Sequence, residues 1–506
     1  MPLSDDPLIH QRLDEANRLR SLGIDPYPPR ASRTHANAAA IAAFLDAEAR
    51  GLEWTETITI CGRMRPPRRM GRKALFVDVI DGTGKLQVYC REDTLGADQF
   101  ALLDYLDYGD FIQASGPLFR TRTGEITLRA TALTVLCKAL RPPPEKWHGI
   151  TDQETRYRQR YLDLMANEET RQRFMRRSQI IAAIRRFMDA RGFIEVETPV
   201  LQNLAGGAAA RPFQTYYNAL GEERYLRISL ELYLKRLLVG GYDRVYEIGR
   251  VFRNEGLSTT RNPEFTMLES YQAYADYHDV AEMVEQLIPT VAAEVLGTLD
   301  IPHRGTTIDL RPPWRRLTMR QALLEYAGLD MEAYRDEAAL RAWMAARGLE
   351  APPELGWGKL IDEVFSELVQ PHLQQPTFLL DYPVELSPLA KRKPDDPTLV
   401  ERFEAFIAGF EIANAYTELN DPVDQRERFE RQAAAKARGD QEAELVDEDF
   451  LVALEHGMPP AGGLGIGIDR LCMVLLDQTT IREVILFPQL RTIHGRGDEA
   501  GEETKQ

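Results

Sequence analysis

The sequence predicts an α+β protein in two parts, a small all-β barrel followed by a larger domain of helices around a mainly antiparallel sheet. Three observations carry this reading. Residues 56–140 hold five short extended runs, most of them parted by glycine-bearing turns. The stretch "RPPPEKWHG" (141–149) then breaks the pattern, because three consecutive prolines stop a helix and favour an extended linker. Beyond it strands and helices mix without a regular βαβ repeat, which disfavours a doubly wound parallel sheet. A chain of 506 residues is also too long for one ordinary domain.

Taken in order, residues 1–55 form an N-terminal helical extension, with a helix at about 7–22. The extended runs are "ETITICGRMR", "KALFVDVID", "GKLQVYCRE", "GDFIQASGPLFR" and "EITLRATALTVLCKAL". The helical segment "DQFALLDYL" precedes the fourth, and five strands with a helix between the third and fourth is the order of an OB barrel, placed at 56–140. A linker spans 141–155, and the larger domain runs from 156 to 492. It opens on a long helix in which Phe174, Ile181, Ile184 and Met188 fall at near-helical spacing, with Gly192 placed to end it. The strand "FIEVETP" follows, a helical insertion is expected at about 318–372, and the polar tail 493–506 reads as disordered.

Composition narrows the function. The apolar fraction of 44% is that of a globular protein, and no run approaches the ~20 apolar residues that span a bilayer. The N-terminus carries early acids and has no apolar core, so no signal peptide is expected and a soluble cytoplasmic protein is the simplest reading. Four scattered cysteines and eight dispersed histidines offer no CxxC or HExxH, so any metal should be a hard ion held by carboxylates. A net charge of −16 argues against general nucleic-acid affinity, yet "RMRPPRRMGRK" (63–73) holds six basic residues in eleven and leaves a selective nucleic-acid ligand open.

Three stretches can carry chemistry. In "RVFRNEGLSTTRNPEFTMLESY" (250–271), Phe265, Met267, Glu269 and Tyr271 line one strand face, while Arg250, Arg253 and Arg261 gather at the loop. An aromatic ring beside guanidinium groups suits a base with its phosphates, although a surface hairpin with ordinary ion pairs reads equally well in isolation. In "GGLGIGIDRLCMVLL" (462–476), glycines bare one strand, Asp469 is placed to cap the following helix, and Arg470 sits in its first turn. A cation opposed to the helix dipole there points to an anionic ligand. In "RFEAFIAGFEIANAYTELND" (402–421), Glu404 and Glu411 flank an expected helix-to-strand junction. Asn414 and Glu418 share strand parity, with Ala413 and Ala415 leaving room beside them, whereas Glu411 is off that parity and needs a bend or a separate role.

Together these stretches resemble the class II lysyl-tRNA synthetases. "GFIEVETPVL" (192–201), "FRNEG…NPEFT" and "GLGIGIDR" (463–470) match the three class II motifs in order. "AGGAAARPF", "ELYLKRLLVGG", "YPVELSPLAKR" and "NAYTELNDP" are similar to markers of the lysine family. The resemblance implies a class II catalytic domain on an antiparallel sheet behind an anticodon-binding OB domain, acting in a homodimer on ATP, L-lysine and tRNA(Lys) with several Mg²⁺ ions. It implies Arg253 and Arg470 as catalytic cations, and Arg253, Glu255, Arg261, Phe265, Glu404, Glu411 and Arg470 around ATP, with Phe265 and Arg470 sandwiching adenine. Glu404 and Glu411 match the family's metal ligands. Gly207, Glu231, Arg253, Glu269, Tyr271, Asn414 and Glu418 match its lysine pocket, and Arg69, Phe76, Gln87 and Glu125 its anticodon face.

The chain departs from the family in a few places. Ser229-Leu230 stands where Ala-Pro is common, Ala205 replaces a proline, Arg261 a frequent histidine, and Ala413 and Ala415 frequent glycines. Three rival readings are a lysine-type ligase for a protein acceptor, which the OB domain counts against, a related synthetase for aspartate or asparagine, which the acidic pocket disfavours, and a catalytically inactive RNA-binding paralogue. For Phe76, plain barrel core is the alternative to base stacking.

Overall fold

The computed structural model describes residues 6–144, 150–437 and 446–491. The centre of the expected linker and all of the expected disordered tail lie outside the described residues. The chain divides into two compact units, Met1–Thr151 with Tyr161–Ala166, and Asp152–Arg160 with Asn167–Gln506.

In the first unit, Thr57–Met64 alternates outward and inward, sending Ile58, Ile60 and Met64 into the core. This strand pairs with Ala74–Ile80 on one side and with Phe111–Arg120 on the other, which closes the barrel. At Gly62 a side chain would run into the Ile80 carbonyl and Val79, so the strands cross too closely there for any other residue. The short helices of 92–105 stand between the third and fourth long strands, as expected. The expected fifth strand is broken into Ile126–Arg129, which bridges Lys85–Arg91 and Phe111–Arg120, and Ala132–Cys137, which pairs with Phe111–Arg120. Two N-terminal helices, Pro7–Ser21 and Asn37–Ala49, seat Leu19, Ala40 and Phe44 in the barrel core.

The second unit is built on an eight-stranded sheet. Its order is Arg315–Thr318, Thr377–Pro383, Leu399–Ile407, Phe410–Thr417, Ala461–Gly467, Glu264–Ala273, Arg244–Phe252 and Ile194–Glu195. Only the two outermost pairs are parallel. The long helix Glu168–Ala190 buries Phe174, Ile180, Ala183, Ile184, Phe187 and Met188, and leaves Ile181 half-buried. Gly192, at φ +76°, follows its end. That helix packs with Tyr277–Leu296, which begins in a capping box of Asp276 and Asp279. Both lie on the core face with Phe403, Ala405, Ile412, Ala413, Ala415, Leu464 and Ile466. The alternate residues of the same strands are left to line the other face. Helices Glu337–Ala345 and Trp357–Leu368 fall within the stretch expected to be a helical insertion.

Candidate active site

Residues directly paired across an antiparallel sheet stand on one face, so the register sets out the site. One row runs Glu404, Asn414, Gly465, Glu269, Glu247. The next runs Arg402, Tyr416, Gly463, Tyr271, Val245. The glycines fall in the middle of each row and leave an open floor between the acids of the two flanking hairpins. At Gly465 an added Cβ would come no nearer than 3.8 Å to its neighbours, Asn414, Glu269 and Met267, whereas at Gly463 it would collide with Glu418 and lie 2.7 Å from the Tyr271 ring.

One end of this floor is acidic. Glu231, Glu269 and Glu418 are all buried, as is Tyr271, while Tyr416 is half-buried. Glu269 Oε1 accepts from Ser229 Oγ and from the Leu230 amide, each at 3.0 Å, and its Oε2 accepts from the Tyr271 hydroxyl at 3.3 Å. Burial, then the neighbouring Glu231, pushes the Glu269 carboxyl up to about 7. Burial raises Glu418 well above the ordinary carboxylate range, against the pull of Lys235. Glu231 accepts from Lys235 Nζ at 2.6 Å and from the Tyr416 hydroxyl at 2.5 Å. Gly207 lies against Ser229 and Glu231 at φ +86°, where a side chain would meet Ser229 Oγ at 3.1 Å.

The other end gathers arginines. Arg253 donates from Nε to the Ile228 carbonyl at 3.3 Å, and its guanidinium lies 5.2 Å from the Phe265 ring centre. Arg470, in the first turn of helix Ile468–Leu475, donates to Glu411 Oε2 at 2.9 Å. Arg261 is exposed and reaches Glu255 at 3.4 Å across the loop. Asn414 Oδ1 accepts from Arg402 Nε at 3.0 Å, which turns the amide NH₂ of Asn414 away from that cation.

Two expectations are corrected here. Residues 402–421 hold no helix-to-strand junction: Glu404 and Glu411 lie on two strands, Leu399–Ile407 and Phe410–Thr417, joined by Ala408–Gly409 in the left-handed region. The register shifts between Ala405↔Ala413 and Phe406↔Glu411, so Ile412 is the extra residue of a bulge. That bulge supplies the bend that Glu411 needs and returns it to the face of Glu404 and Asn414. Burial, then the like charge of Glu411, pushes the Glu404 carboxyl up to about 7, while Arg402 at 2.6 Å opposes the shift. Asp469 does not cap its helix. It accepts from the Thr266 amide at 2.7 Å and pairs with Arg177 at 2.8 Å, tying its helix to the strand Glu264–Ala273 and to the long helix.

On the barrel, Leu75 and Val77 point inward and Phe76 outward, so Phe76 is not core. Its half-buried ring stacks on Tyr89 at 4.4 Å, and Tyr89 continues to Phe119 at 6.2 Å. Gln87 stands on the same face and accepts from the Thr127 hydroxyl at 2.9 Å. Glu125 pairs with Lys85 at 3.0 Å. The register puts Arg68 opposite Phe76, with Asp78 at 3.2 Å from its guanidinium, whereas Arg69 stands opposite Leu75 and pairs with Asp104. The face thus gathers Phe76 and Gln87 and does not include Arg69.

Comparison with known proteins agrees with this geometry. The family model "tRNA synthetases class II (D, K and N)" matches residues 152–491, and the model "OB-fold nucleic acid binding domain" matches 58–136. The chain belongs to the class II tRNA synthetases of the D, K and N group. It is 54% identical over 500 residues to a lysine–tRNA ligase of Chloroflexus aurantiacus, covering 99% of this chain and 100% of that one. It is 53% identical over 498 residues to one of Dehalococcoides mccartyi (98% and 100%) and 53% over 488 residues to one of Moorella thermoacetica (96% and 98%).

Within this class II synthetase the departures acquire physical content. Ala413 and Ala415 turn into the main core, not the site, so their methyl groups do not shape the pocket. Ser229-Leu230 provides a hydroxyl and an amide to Glu269 that an Ala-Pro pair lacks. The sequence marks Ser229 only as a departure from the family and gives no role to Lys235, Arg402 or Tyr416. The available signals were spacing alone: Lys235 one helical turn beyond Glu231, and Arg402 and Tyr416 two residues from Glu404 and Asn414.

Proposed function

We propose that this chain activates L-lysine with ATP and transfers the lysyl group to tRNA(Lys). The observation that carries the reading is the glycine-floored trough with buried Glu231, Glu269 and Glu418 at one end and Arg253 and Arg470 at the other. A dicationic amino acid spans such a trough with its ammonium groups among carboxylates and its carboxylate toward Arg253. Burying an ammonium is costly unless it is paired and hydrogen-bonded, and Glu269, Glu418 and Tyr271 supply acceptors for the ε-ammonium. Glu231 and the bare backbone at Gly207 face the α-ammonium, and the free NH₂ of Asn414 the carboxylate.

In the first step the lysine carboxylate attacks the α-phosphorus of ATP and pyrophosphate leaves. Arg253 spans the incoming carboxylate and the α-phosphate, Phe265 supports adenine, and Arg470 with Arg261 binds the phosphate tail, Glu255 flanking the base. In the second step a hydroxyl of the terminal adenosine takes the lysyl group and AMP leaves. Positioning and fixed charge suffice for this chemistry, without a protein nucleophile.

Glu404 and Glu411 fit a divalent cation: they share a face across the bulge, and their mutual repulsion is what a cation would relieve. Among the described residues no cluster of three His, Cys, Asp or Glu forms a closed cage. Mg²⁺, which keeps water and phosphate oxygens as ligands, suits such a pair and would neutralise charge on the polyphosphate when bound.

Phe76, Gln87 and Glu125 are proposed to read the anticodon, with Arg68 beside them. A homodimer through residues 192–226 is supported by the exposed Ile194, Val200, Leu201, Tyr216, Tyr217 and Leu220. Among the described residues no helix is long and apolar enough to cross a membrane, and all four cysteines are free, as suits the cytoplasm.

ATP–pyrophosphate exchange screened over the twenty amino acids tests the reading. Lysine alone should drive exchange, and purified tRNA(Lys) should then be charged. Exchange driven by another amino acid would replace the substrate, and a lack of exchange would remove the activity.

A further inference from the structure

Lys235 is the cation of the site whose side chain, like that of its partner Glu418, has no exposure at all. It sits in helix Glu231–Val239 among buried Leu232, Leu234 and Leu238. Its ammonium meets Glu231 Oε1 at 2.6 Å and Glu418 Oε2, and lies 5.7 and 5.8 Å from the ring centres of Tyr416 and Phe450. Glu418 Oε1, on the far side of that carboxylate, is buried without a hydrogen-bond partner among the described residues. An enclosed ion pair is a poor source of stability, since an apolar side chain of similar size avoids the desolvation cost. Its presence is better explained by the charge of the pocket.

We propose that Lys235 is a positioning residue that supplies one fixed positive charge to the amino-acid pocket, matching it to a substrate with two ammonium groups. Three carboxylates less one internal ammonium leave two negative charges. Lysine brings one α- and one ε-ammonium to them, while its carboxylate is met by Arg253. The inference rests on the lysine reading above. The charged and titratable groups facing Lys235 and its partners are Glu231 on its own helix, and Glu418 and Tyr416 from the Phe410–Thr417 strand and the residue that follows it. Glu269 and Tyr271 on Glu264–Ala273 complete the set, with Arg253 and Arg402 acting on Glu269 and Tyr416. Glu269 and Glu418 already stand above the ordinary carboxylate range, and without the opposing charge of Lys235 the three acids would retain about one further proton at neutral pH. Lysine could then bind only by expelling it.

The test compares wild type, Lys235→Met and the double variant Lys235→Met/Glu418→Gln. Lysine binding is measured by calorimetry at pH 7 in buffers of different ionisation enthalpy, and lysine-dependent exchange between pH 6.5 and 9. Lys235→Met should raise KM for lysine at least about tenfold at pH 7, leave KM for ATP within about twofold, and release about one more proton per lysine bound. Its KM should recover by more than about threefold on going to pH 8.5. The double variant, balanced in charge like the wild type, should return proton release to the wild-type value even with KM still high. A Lys235→Met defect that is independent of pH, or unchanged proton release, overturns the proposal and leaves a packing role. If the single variant does not fold, a double variant releasing extra protons overturns it equally. Wild type that fails to bind lysine removes the lysine reading as well as this one.

Discussion

Ser229 Oγ donates to Glu269 Oε1 at 3.0 Å, and the Leu230 amide donates to the same oxygen at the same distance. Both bonds favour the ionised carboxylate, against the burial and the Glu231 charge that hold Glu269 at about 7. Ser229→Ala removes one of them. A hydrogen bond to a charged group is worth about 1.5–3 kcal/mol, or roughly one to two pKa units. The acid limb of KM for lysine should therefore move up by about one unit. Measurement of KM across pH 6–9 checks this, and an unmoved limb would mean that Glu269 does not hold the ammonium.

The same shifts have a consequence for stability. Glu269 and Glu404 stand at about 7 in the folded chain against 4.5 for a free glutamate. The folded state therefore binds more protons than the unfolded one across that window, and the two groups withdraw stability as pH rises through it. Lysine pairs with ionised Glu269 and should restore part of the loss. Thermal melts should show a larger rise of Tm on adding lysine at pH 8 than at pH 6. An equal rise at both would contradict the assignment of Glu269.

Glu418→Gln keeps shape and removes the charge beside the open oxygen. Loss of transition-state stabilisation of about 2–4 kcal/mol is expected, or roughly 100-fold in kcat/KM for lysine, with KM for ATP changed less than about threefold. Steady-state exchange kinetics separate the two, and parallel losses would move Glu418 out of the amino-acid pocket.

Phe76→Ala acts on the barrel alone. A stacked base is worth about 1–3 kcal/mol, so tRNA charging should fall about tenfold or more while exchange is untouched. Charging at the wild-type rate would put the anticodon contact on other residues.

What could be read from the sequence divides along physical lines. Period-two patterning located Phe265, Met267, Glu269 and Tyr271 on one face, and glycines marked the floor, because both are local signals. Glu411 looked out of phase since a bulge at Ile412 is a property of the pairing with Ala405 and Phe406, not of either strand. Asp469 had the offset of a cap, but the Thr266 amide and Arg177, distant in sequence, compete for its oxygens. Lys235 reads as an ordinary charged position of an amphipathic helix, and only the fold shows that it is enclosed. The fifth barrel strand reads as one run in the sequence because its break at Ala130–Thr131 carries no glycine or proline.

The row Glu404, Asn414, Gly465, Glu269 is also a ruler. Its marks are strands, each about 4.8 Å from the next, and they are held apart by ladder hydrogen bonds, not by side-chain rotamers. A longer amino acid could not be admitted by swinging one residue aside, and slipping a strand by one position would turn its whole set of side chains to the other face. On the proposed placement of lysine, substrate length is in this sense written into the backbone. A change of amino acid must come from new side chains at fixed stations, which is how one sheet could serve relatives with different substrates while keeping the same distance to ATP.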